Sequence, residues 1–406
     1  MPLLELVQEL PGHSEPAWQV AFNPSRPLLA SCSTDKTVRL YSFDDRSFSD
    51  SLPASDDPKP TFSLLSAIET EHKRTIRSVA WGPDGRTLAT GSFDSSVGIW
   101  EEVDSDAPED DSEGVFKPST EIGGEKVVSG AGEWECVTTL EGHESECKSV
   151  AFSSDGALLA SCSRDKSVWV WEVQPDADFE CIAVMMEHTQ DVKCLAWHPK
   201  EEVLASASYD SHIHLMFDDP DGDWCIFQKL HPKLPSARTQ SSLPELSPTA
   251  DEKAIESLNI PPLEEDETVW CLAWSPCGRY LASGGDRGGI RIWRRKGNQP
   301  DSLFEEILHT AAHSRSVFSL SWRKGGYLAS AGGDGKIIVW KTDVIEDGDG
   351  PVAPRLSMNP VAAVREAHSV DDVNSLSWCS REEGRGFLLA SCGDDGGVKV
   401  WRLVRD

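Results

Sequence analysis

Apolar and polar positions alternate along this chain in short runs that recur seven times: "QVAFNPSRPLLA", "SVAWGPDGRTLA", "SVAFSSDGALLA", "CLAWHPKEEVLA", "CLAWSPCGRYLA", "SLSWRKGGYLA" and "SLSWCSREEGRGFLLA". Each run leads directly into a second pattern: "SCSTDKTVRLY" (31–41), "TGSFDSSVGIW" (90–100), "SCSRDKSVWVW" (161–171), "SASYDSHIHLM" (206–216), "SGGDRGGIRIW" (283–293), "SAGGDGKIIVW" (330–340) and "SCGDDGGVKVW" (391–401). Alternation with a period of two, bounded by Pro, Gly, Asp and Ser, predicts strand–turn–strand and not helix. "SVAF", "ALLAS" and "SVWVW" supply three antiparallel strands. "WECVTTL", "FECIAVM" and "WCIFQKL" supply a fourth between copies.

Four strands in each of seven copies predict an all-β fold, a seven-bladed β-propeller of the WD40 kind filling residues 1–406. The repeats run over about 11–43, 68–101, 133–173, 178–217, 222–294, 303–341 and 362–403. One such sheet cannot bury both its faces, whereas a ring of them can. The ring must close, because an open edge templates aggregation. "LLELVQEL" (3–10) has no blade of its own and is expected to pair with "GGVKVWRL", locking the two chain ends together.

Histidines keep a fixed distance from the repeated aspartates. His13, His72, His143 and His188 stand 22 residues before Asp35, Asp94, Asp165 and Asp210; His313 precedes Asp334 by 21, and His368 precedes Asp395 by 27. Ser31, Thr90, Ser161, Ser206, Ser330 and Ser391 stand four before those aspartates, and Trp100, Trp171, Trp340 and Trp401 stand six after four of them. Ser161, His143 and Asp165 have the members of a hydrolase triad. The same trio recurs around the chain, however, and no enzyme needs so many equivalent nucleophiles. A buried hydrogen-bond network is the better reading: Trp N–H to hydroxyl, hydroxyl to His, His to Asp. Tyr41 and Met216 replace the tryptophan in blades one and four, and blade five has Arg287 at the aspartate position with no histidine in register. That blade is expected to be the least rigidly tied.

Binding positions are those the repeat leaves free. Five residues after each histidine the chain enters the innermost strand at the mouth of the ring. Trp18, Arg77, Lys148, Lys193 and Phe318 occupy that place, with Trp270 there by register of the repeat and Asn374 in the longer last copy. Aromatic and cationic residues of this type carry binding energy at interfaces, and as a set they favour partner binding. For any one of them ordinary strand-end packing is an equal alternative. The residue before each structural aspartate occupies the turn on the same face: Thr34, Phe93, Arg164, Tyr209, Asp286, Gly333 and Asp394. Arg164 is expected at a tip where the repeat demands nothing. There it is either a solvated cation or, beside Phe93, Tyr209 and Lys193, a planar fork for a partner carboxylate.

Charge and cysteine narrow the classes. The 406 residues carry 38 Lys and Arg against 68 Asp and Glu, a formal charge of −30, which argues against nucleic acid as partner. No apolar run is long enough to span a membrane, and "MPLLELVQELPGH" lacks the pattern of a signal peptide, so a cytoplasmic chain, with the nucleus as a further compartment, is expected. The eleven cysteines show no metal spacing; Cys32, Cys162 and Cys392 follow a serine at one repeated strand position, and Cys136, Cys181 and Cys225 share another. Both sets read as small buried apolar residues, with no cofactor or metal expected. Segments 44–66, 102–132, 231–267 and 343–362 are rich in Asp, Glu, Ser, Pro and Gly and read as solvated acidic inserts. Residues 101–135 alone hold twelve acidic and two basic side chains. The second and fourth of these inserts should leave from the third strand of a blade, the third should lie on the opposite rim.

Three segments carry a more specific likeness: "RTIRSVAWGPDGRTLATGSFDSSVGIWE" (74–101), "LEGHESECKSVAFSSDGALLASCSRDKSVWVWE" (140–172) and "HTQDVKCLAWHPKEEVLASASYD" (188–210). They resemble the WD40 subunit of the cytosolic iron–sulfur protein assembly machinery. The resemblance covers the propeller and not the acidic inserts. It implies an adaptor and not an enzyme. It also implies as partners a HEAT-repeat scaffold subunit, a small acidic adaptor, an iron-hydrogenase-like cluster carrier and iron–sulfur apoprotein clients. It places Arg164, in the "SRDK" turn, on the family's functional face. The alternative is a substrate receptor of a cullin-type ubiquitin ligase. Many such receptors carry Trp-Asp-x-Arg at the end of the third strand; this chain reads "WEEV", "WEVQ", "WRRK", "WKTD" and "WRLV" there.

Overall fold

The computed structural model describes residues 3–44, 60–103, 133–175, 178–232, 267–345, 355–381 and 386–404. Seven sheets of four antiparallel strands form a β-propeller. In blade one, β2 (Ala17–Phe22), β3 (Leu28–Ser33), β4 (Thr37–Phe43) and β5 (Phe62–Glu69) pair in chain order from the inside out. The same order recurs from β6 (Ile76–Trp81) to β9 (Glu133–Leu140), β10 (Cys147–Phe152) to β13 (Asp178–Met185), β14 (Val192–Trp197) to β17 (Trp224–Leu230), β18 (Val269–Trp274) to β21 (Phe304–Ala311) and β22 (Val317–Arg323) to β25 (Arg355–Val364). Blade seven is β26 (Val373–Trp378), β27 (Gly386–Gly393) and β28 (Val398–Val404), with β1 (Leu3–Leu10) as its outer strand. Leu4 lies opposite Leu403 and Leu10 opposite Val398. Arg402 donates twice to Glu5 across the same pair, at 2.9 and 2.7 Å.

The sequence repeat and the sheet are out of phase. Residues 133–173 make one repeat, yet β9 pairs with β8 (Val97–Val103) of the preceding sheet. Every blade therefore borrows its outer strand from the next repeat, and in blade seven the chain start supplies it.

Each sheet twists one face onto each neighbour, and seven apolar clusters fill the seven gaps. Between blades one and two, for example, Ala30, Val38 and Leu40 meet Ile76, Val79 and Leu88, all fully buried. The second strand is buried along its whole length in blades one, three, four, five and seven, which is why those segments read as continuous "LLASCS"-type runs. The inner strands are also stitched by polar groups. The Val20 and Val150 amides donate to the hydroxyls of Ser375 and Ser78 on the adjacent blade, at 3.3 and 3.0 Å. The indoles of Trp81, Trp197 and Trp274 donate to the carbonyls of Ala21, Ala151 and Ala196 at 2.9–3.0 Å. The small polar residues of the "SVAF" and "SLSW" runs are thus ring seams, a role the sequence pattern did not reveal.

Several assigned inserts are shorter than expected. Phe62–Ser66 belong to β5, Glu102 and Val103 to β8, and residues 343–345 and 355–362 to the hairpin of β24 (Ile337–Ile345) and β25. Cross-strand pairing extends these strands beyond the point where their composition turns polar. Glu267, placed at the end of the third insert, is buried. Asp44, Pro60, Thr61, His231 and Pro232 are described as well; the other insert residues lie outside the described residues. Cysteine burial also divides: Cys32, Cys162 and Cys392 are fully buried, whereas Cys136 and Cys225 are partly exposed and Cys181 is exposed. The latter three ride on outer strands, which have only one neighbour to cover them.

Blade four carries a stack of imidazoles. His214 lies flat on His188, ring centroids 3.7 Å apart and planes at 7°. Burial, then electrostatic repulsion from the stacked His188 ring, pushes the His214 pKa down to about 3. His214 is therefore neutral in the fold and protonates in the unfolded chain near its ordinary value of about 6.5. Its contribution is complete above that pH and is lost as the pH falls toward the folded value. Thermal melts should show the protein losing stability from about pH 6.5 down to 4, and His214→Phe should flatten that slope. Removing residues 1–10 should expose the β28 edge and give higher oligomers by light scattering; a monodisperse truncated protein would contradict the closure.

Candidate functional site at the channel mouth

The site begins with the network that anchors each inner strand. His13, His72, His143, His188, His313 and His368 place Nδ1 at 2.8–3.3 Å from Asp35, Asp94, Asp165, Asp210, Asp334 and Asp395. Their Nε2 atoms lie 2.7–2.9 Å from Ser31, Thr90, Ser161, Ser206, Ser330 and Ser391. A carboxylate only accepts, so Nδ1 carries the proton and Nε2 accepts from the hydroxyl. The hydroxyl oxygen in turn accepts from the indole N–H of Trp100, Trp171, Trp340 and Trp401, at 2.8–3.1 Å. Ser161 is fully buried beneath this chain, so its hydroxyl is closed to a substrate.

Each aspartate also orders its turn. Asp165 accepts the amides of Glu144 and Ser167 at 2.9 Å each, and the Ser167 hydroxyl. Burial opposes its ionisation, but the bonds from His143 and Ser167 outweigh that and hold its carboxyl well below the usual range. The next residue takes a left-handed backbone in all seven turns: Lys36, Ser95, Lys166, Ser211, Gly288, Gly335 and Gly396 have φ of 67–78°.

Blade five reaches the same end by other means. Glu267 occupies the vacant place and accepts the Arg287 amide at 2.9 Å. A Cβ on Gly285 would stand 2.3 Å from Glu267 Oε1, so the glycine of "GGDRGG" makes room for the carboxylate. Buried Arg291 reaches Glu306 at 2.9 Å and Glu267 at 3.6 Å, and Trp293 donates to Ser283 at 2.9 Å. The expectation of a loosely tied blade is corrected: an acidic pair holding a buried arginine replaces the imidazole. In blade one the Tyr41 hydroxyl donates to the Pro11 carbonyl at 2.6 Å, in place of an indole.

The turn fixes the tip. Thr34, Phe93, Arg164, Tyr209, Asp286, Gly333 and Asp394 each donate their amide, at 2.9–3.2 Å, to the carbonyl of a residue shortly before the inner strand: Pro16, Thr75, Glu146, Asp191, Thr268, Ser316 and Asp372. Directly beyond, every inner strand bulges. In β2 the pairing jumps from Ala17 to Gln19, and equivalent jumps skip Arg77, Lys148, Lys193, Trp270, Phe318 and Asn374. A bulged residue leaves the ladder and its side chain is re-aimed. Here all seven line one central cavity of about 340 Å³.

Cations and rings interlock at this mouth. Arg77 lies over Trp18 at 5.0 Å, Lys148 over Phe93 at 4.0 Å, and Lys193 over Tyr209 at 3.5 Å. Trp270 packs edge-on to Tyr209 and Phe318, at 5.3 and 5.2 Å. The Trp18 indole donates to the Thr34 hydroxyl at 2.8 Å, the Trp270 indole donates to Asp286, and the Asn374 amide donates to Asp394 at 2.7 Å. Phe93 and Tyr209 flank the cavity from the tips. Arg164 does not line it.

Arg164 is not idle. Its side chain is 58% exposed, and Nη1 donates to both oxygens of buried Glu146 at 3.3 Å. Arg74 reaches the same carboxylate at 3.3 Å and donates to the Phe93 carbonyl at 2.8 Å. Burial opposes ionisation of Glu146, yet the Ser145 hydroxyl, its own amide and the charges of Lys148 and Arg164 hold its carboxyl down at about 2. Sequence reasoning passed over Glu146 and Arg74. The available signal was a carboxylate three residues after the histidine and two before the mouth lysine, at Glu146 and again at Asp191.

Among the described residues no helix is long and apolar enough to cross a membrane, and no group of three or more His, Cys, Asp or Glu is placed to hold a metal ion.

A bulged inner strand, a pinned turn and a shared outer strand, seven times over, define a WD40-type propeller. The family model described as "WD domain, G-beta repeat" matches residues 4–42, 63–101, 134–172, 179–215, 261–294, 305–341 and 360–402. The chain is 62% identical over 445 residues to "probable cytosolic iron-sulfur protein assembly protein 1" of Cryptococcus neoformans, covering 99% of each chain. Proteins of the same name are 42% identical in Mycosarcoma maydis (99% of this chain, 93% of the relative) and 38% identical in Vanderwaltozyma polyspora (98% and 99%). The chain belongs to the WD-repeat family and, within it, to the group of these cytosolic iron–sulfur protein assembly proteins.

Asp165→Ala strands a buried imidazole and several turn donors, and should cost about 3 kcal/mol by denaturant unfolding. Arg164→Ala removes an exposed ion pair and should cost at most about 1 kcal/mol. Equal losses would contradict the division between rivet and tip.

Proposed function

We propose that this chain is a non-enzymatic adaptor of the cytosolic iron–sulfur cluster assembly machinery. It works in the cytoplasm and nucleus and helps deliver clusters to apoproteins through protein contacts on the face that carries the channel mouth. The observation that carries this reading is the 62% identity, running over 99% of both chains, to a relative named for that process. The WD40 propeller supports it as a scaffold, since such rings bind through tips and mouth and their recurring Ser, His and Asp are spent internally.

The partners in this reading are a HEAT-repeat scaffold subunit, a small acidic adaptor, an iron-hydrogenase-like cluster carrier and the apoprotein clients. Arg164 and its neighbours Phe93 and Tyr209 form the tip surface that meets one of them, and Trp18, Trp270 and Phe318 supply rigid aromatic area beside it. Arg164 is suited to recognition because its fork is exposed while Glu146 holds its orientation.

The test is complementation. In Cryptococcus neoformans depleted of its relative, this chain should restore the activity of cytosolic [4Fe–4S] enzymes, with mitochondrial ones as control. Failure to restore them with the protein expressed and folded would remove the assignment. Arg164→Ala should keep normal stability, yet capture fewer partners in a tagged purification and restore less cytosolic activity.

A further inference from the structure

Three successive blades each send one cation into the central cavity: Arg77, Lys148 and Lys193. The bulge at each of these positions frees the side chain from the sheet, so the convergence is built into the backbone. Trp18, Trp270 and Phe318 line the same cavity.

The cations are short of counter-charge. Lys193 has Asp191 at 3.7 Å. Arg77 and Lys148 have no carboxylate at ion-pair distance among the described residues; Glu146 acts on Lys148 only from beyond that distance, and their close contacts are the ring faces of Trp18 and Phe93. A ring face is a weak substitute for an anion. Burial, then the charges of Lys148 and Arg77 against the pull of Asp191, brings Lys193 down to about 8, and burial likewise lowers Lys148. A chain with 68 carboxylates and a charge of −30 thus keeps a knot of mutually repelling cations inside its ring.

We propose that the channel mouth is a binding site for a small phosphate-bearing anion, gripped by Arg77, Lys148 and Lys193. A single carboxylate neutralises one of three cations. A phosphate or diphosphate brings at least two charges, and its tetrahedral oxygens accept from several directions at once, including the arginine fork. The cavity of about 340 Å³ has the size of a small-molecule site. Trp18, Trp270 and Phe318 border the same cavity and can flank an organic group attached to the phosphate.

This site goes beyond the adaptor reading and does not rest on it: failed complementation would leave anion binding untouched, and the reverse holds. The experiment is a thermal melt of the full chain at fixed ionic strength, titrated with inorganic pyrophosphate or with ATP. Both should raise the melting temperature saturably by several degrees, while chloride at equal ionic strength should not. ATP acting at lower concentration than pyrophosphate assigns the aromatic arc to the organic group; equal potency assigns the site to phosphate alone. The Lys148→Gln/Lys193→Gln double variant should melt higher than the parent without ligand, because the repulsion is relieved, and should lose the pyrophosphate shift. No shift with either anion, an unchanged shift in the double variant, or tight binding of a polyglutamate peptide with none of pyrophosphate would overturn the proposal.

Discussion

A buried imidazole held between a carboxylate and a hydroxyl is the constraint on which the remainder of this molecule rests. The order of donors is forced: indole to hydroxyl, hydroxyl to Nε2, Nδ1 to carboxylate. Nothing in that chain is left over for water, so it survives burial and ties the loop entering each blade to the turn between its second and third strands. The aspartate accepts turn amides with its other lone pairs, which stabilises the left-handed residue that follows it. The tip amide then pins the backbone just ahead of the bulge. The position of a mouth side chain is therefore the last consequence of a hydrogen bond made deeper in the blade.

The constraint is functional and not tied to one set of atoms. Blade five satisfies it with Glu267 and Arg291, and pays by giving up a Cβ at Gly285. Blade one lets a phenol reach the Pro11 carbonyl where others use an indole. Met216 donates nothing, yet His188 keeps both its bonds and gains a parallel imidazole, His214. Each variant keeps the loop tied, and in blade four it adds a group sensitive to pH, His214.

Charge is distributed with the same economy. Carboxylates dominate the chain, but at the ring's centre cations outnumber them, each leaning on an aromatic face. Arg164 and Arg74 share one buried carboxylate at the tips, so the surface presents ordered guanidinium forks without an unpaired charge being buried. A rigid rim of forks and rings around a cationic well is suited to recognition by contact.

Much of this was legible in the chain alone. Period-two alternation and fixed His-to-Asp spacing determined seven four-stranded blades, the network partners and the closing strand at residues 3–10, because each is a local pattern repeated. The residues that reach the mouth could be numbered from the histidine, as at Lys148 and Phe318. Only the tertiary structure decided what those residues touch. The bulge that turns them inward is a mismatch between two strands and leaves no mark in either one. Glu267 lay at the end of an acidic stretch and looked like solvated chain until the folded sheet of blade five brought Arg291 against it. Glu146 looked like one more surface carboxylate until arginines from two blades converged on it. Spacing along a chain records what a residue's own blade requires; contacts between blades depend on how the sheets twist and close, and that is settled only when the ring is complete.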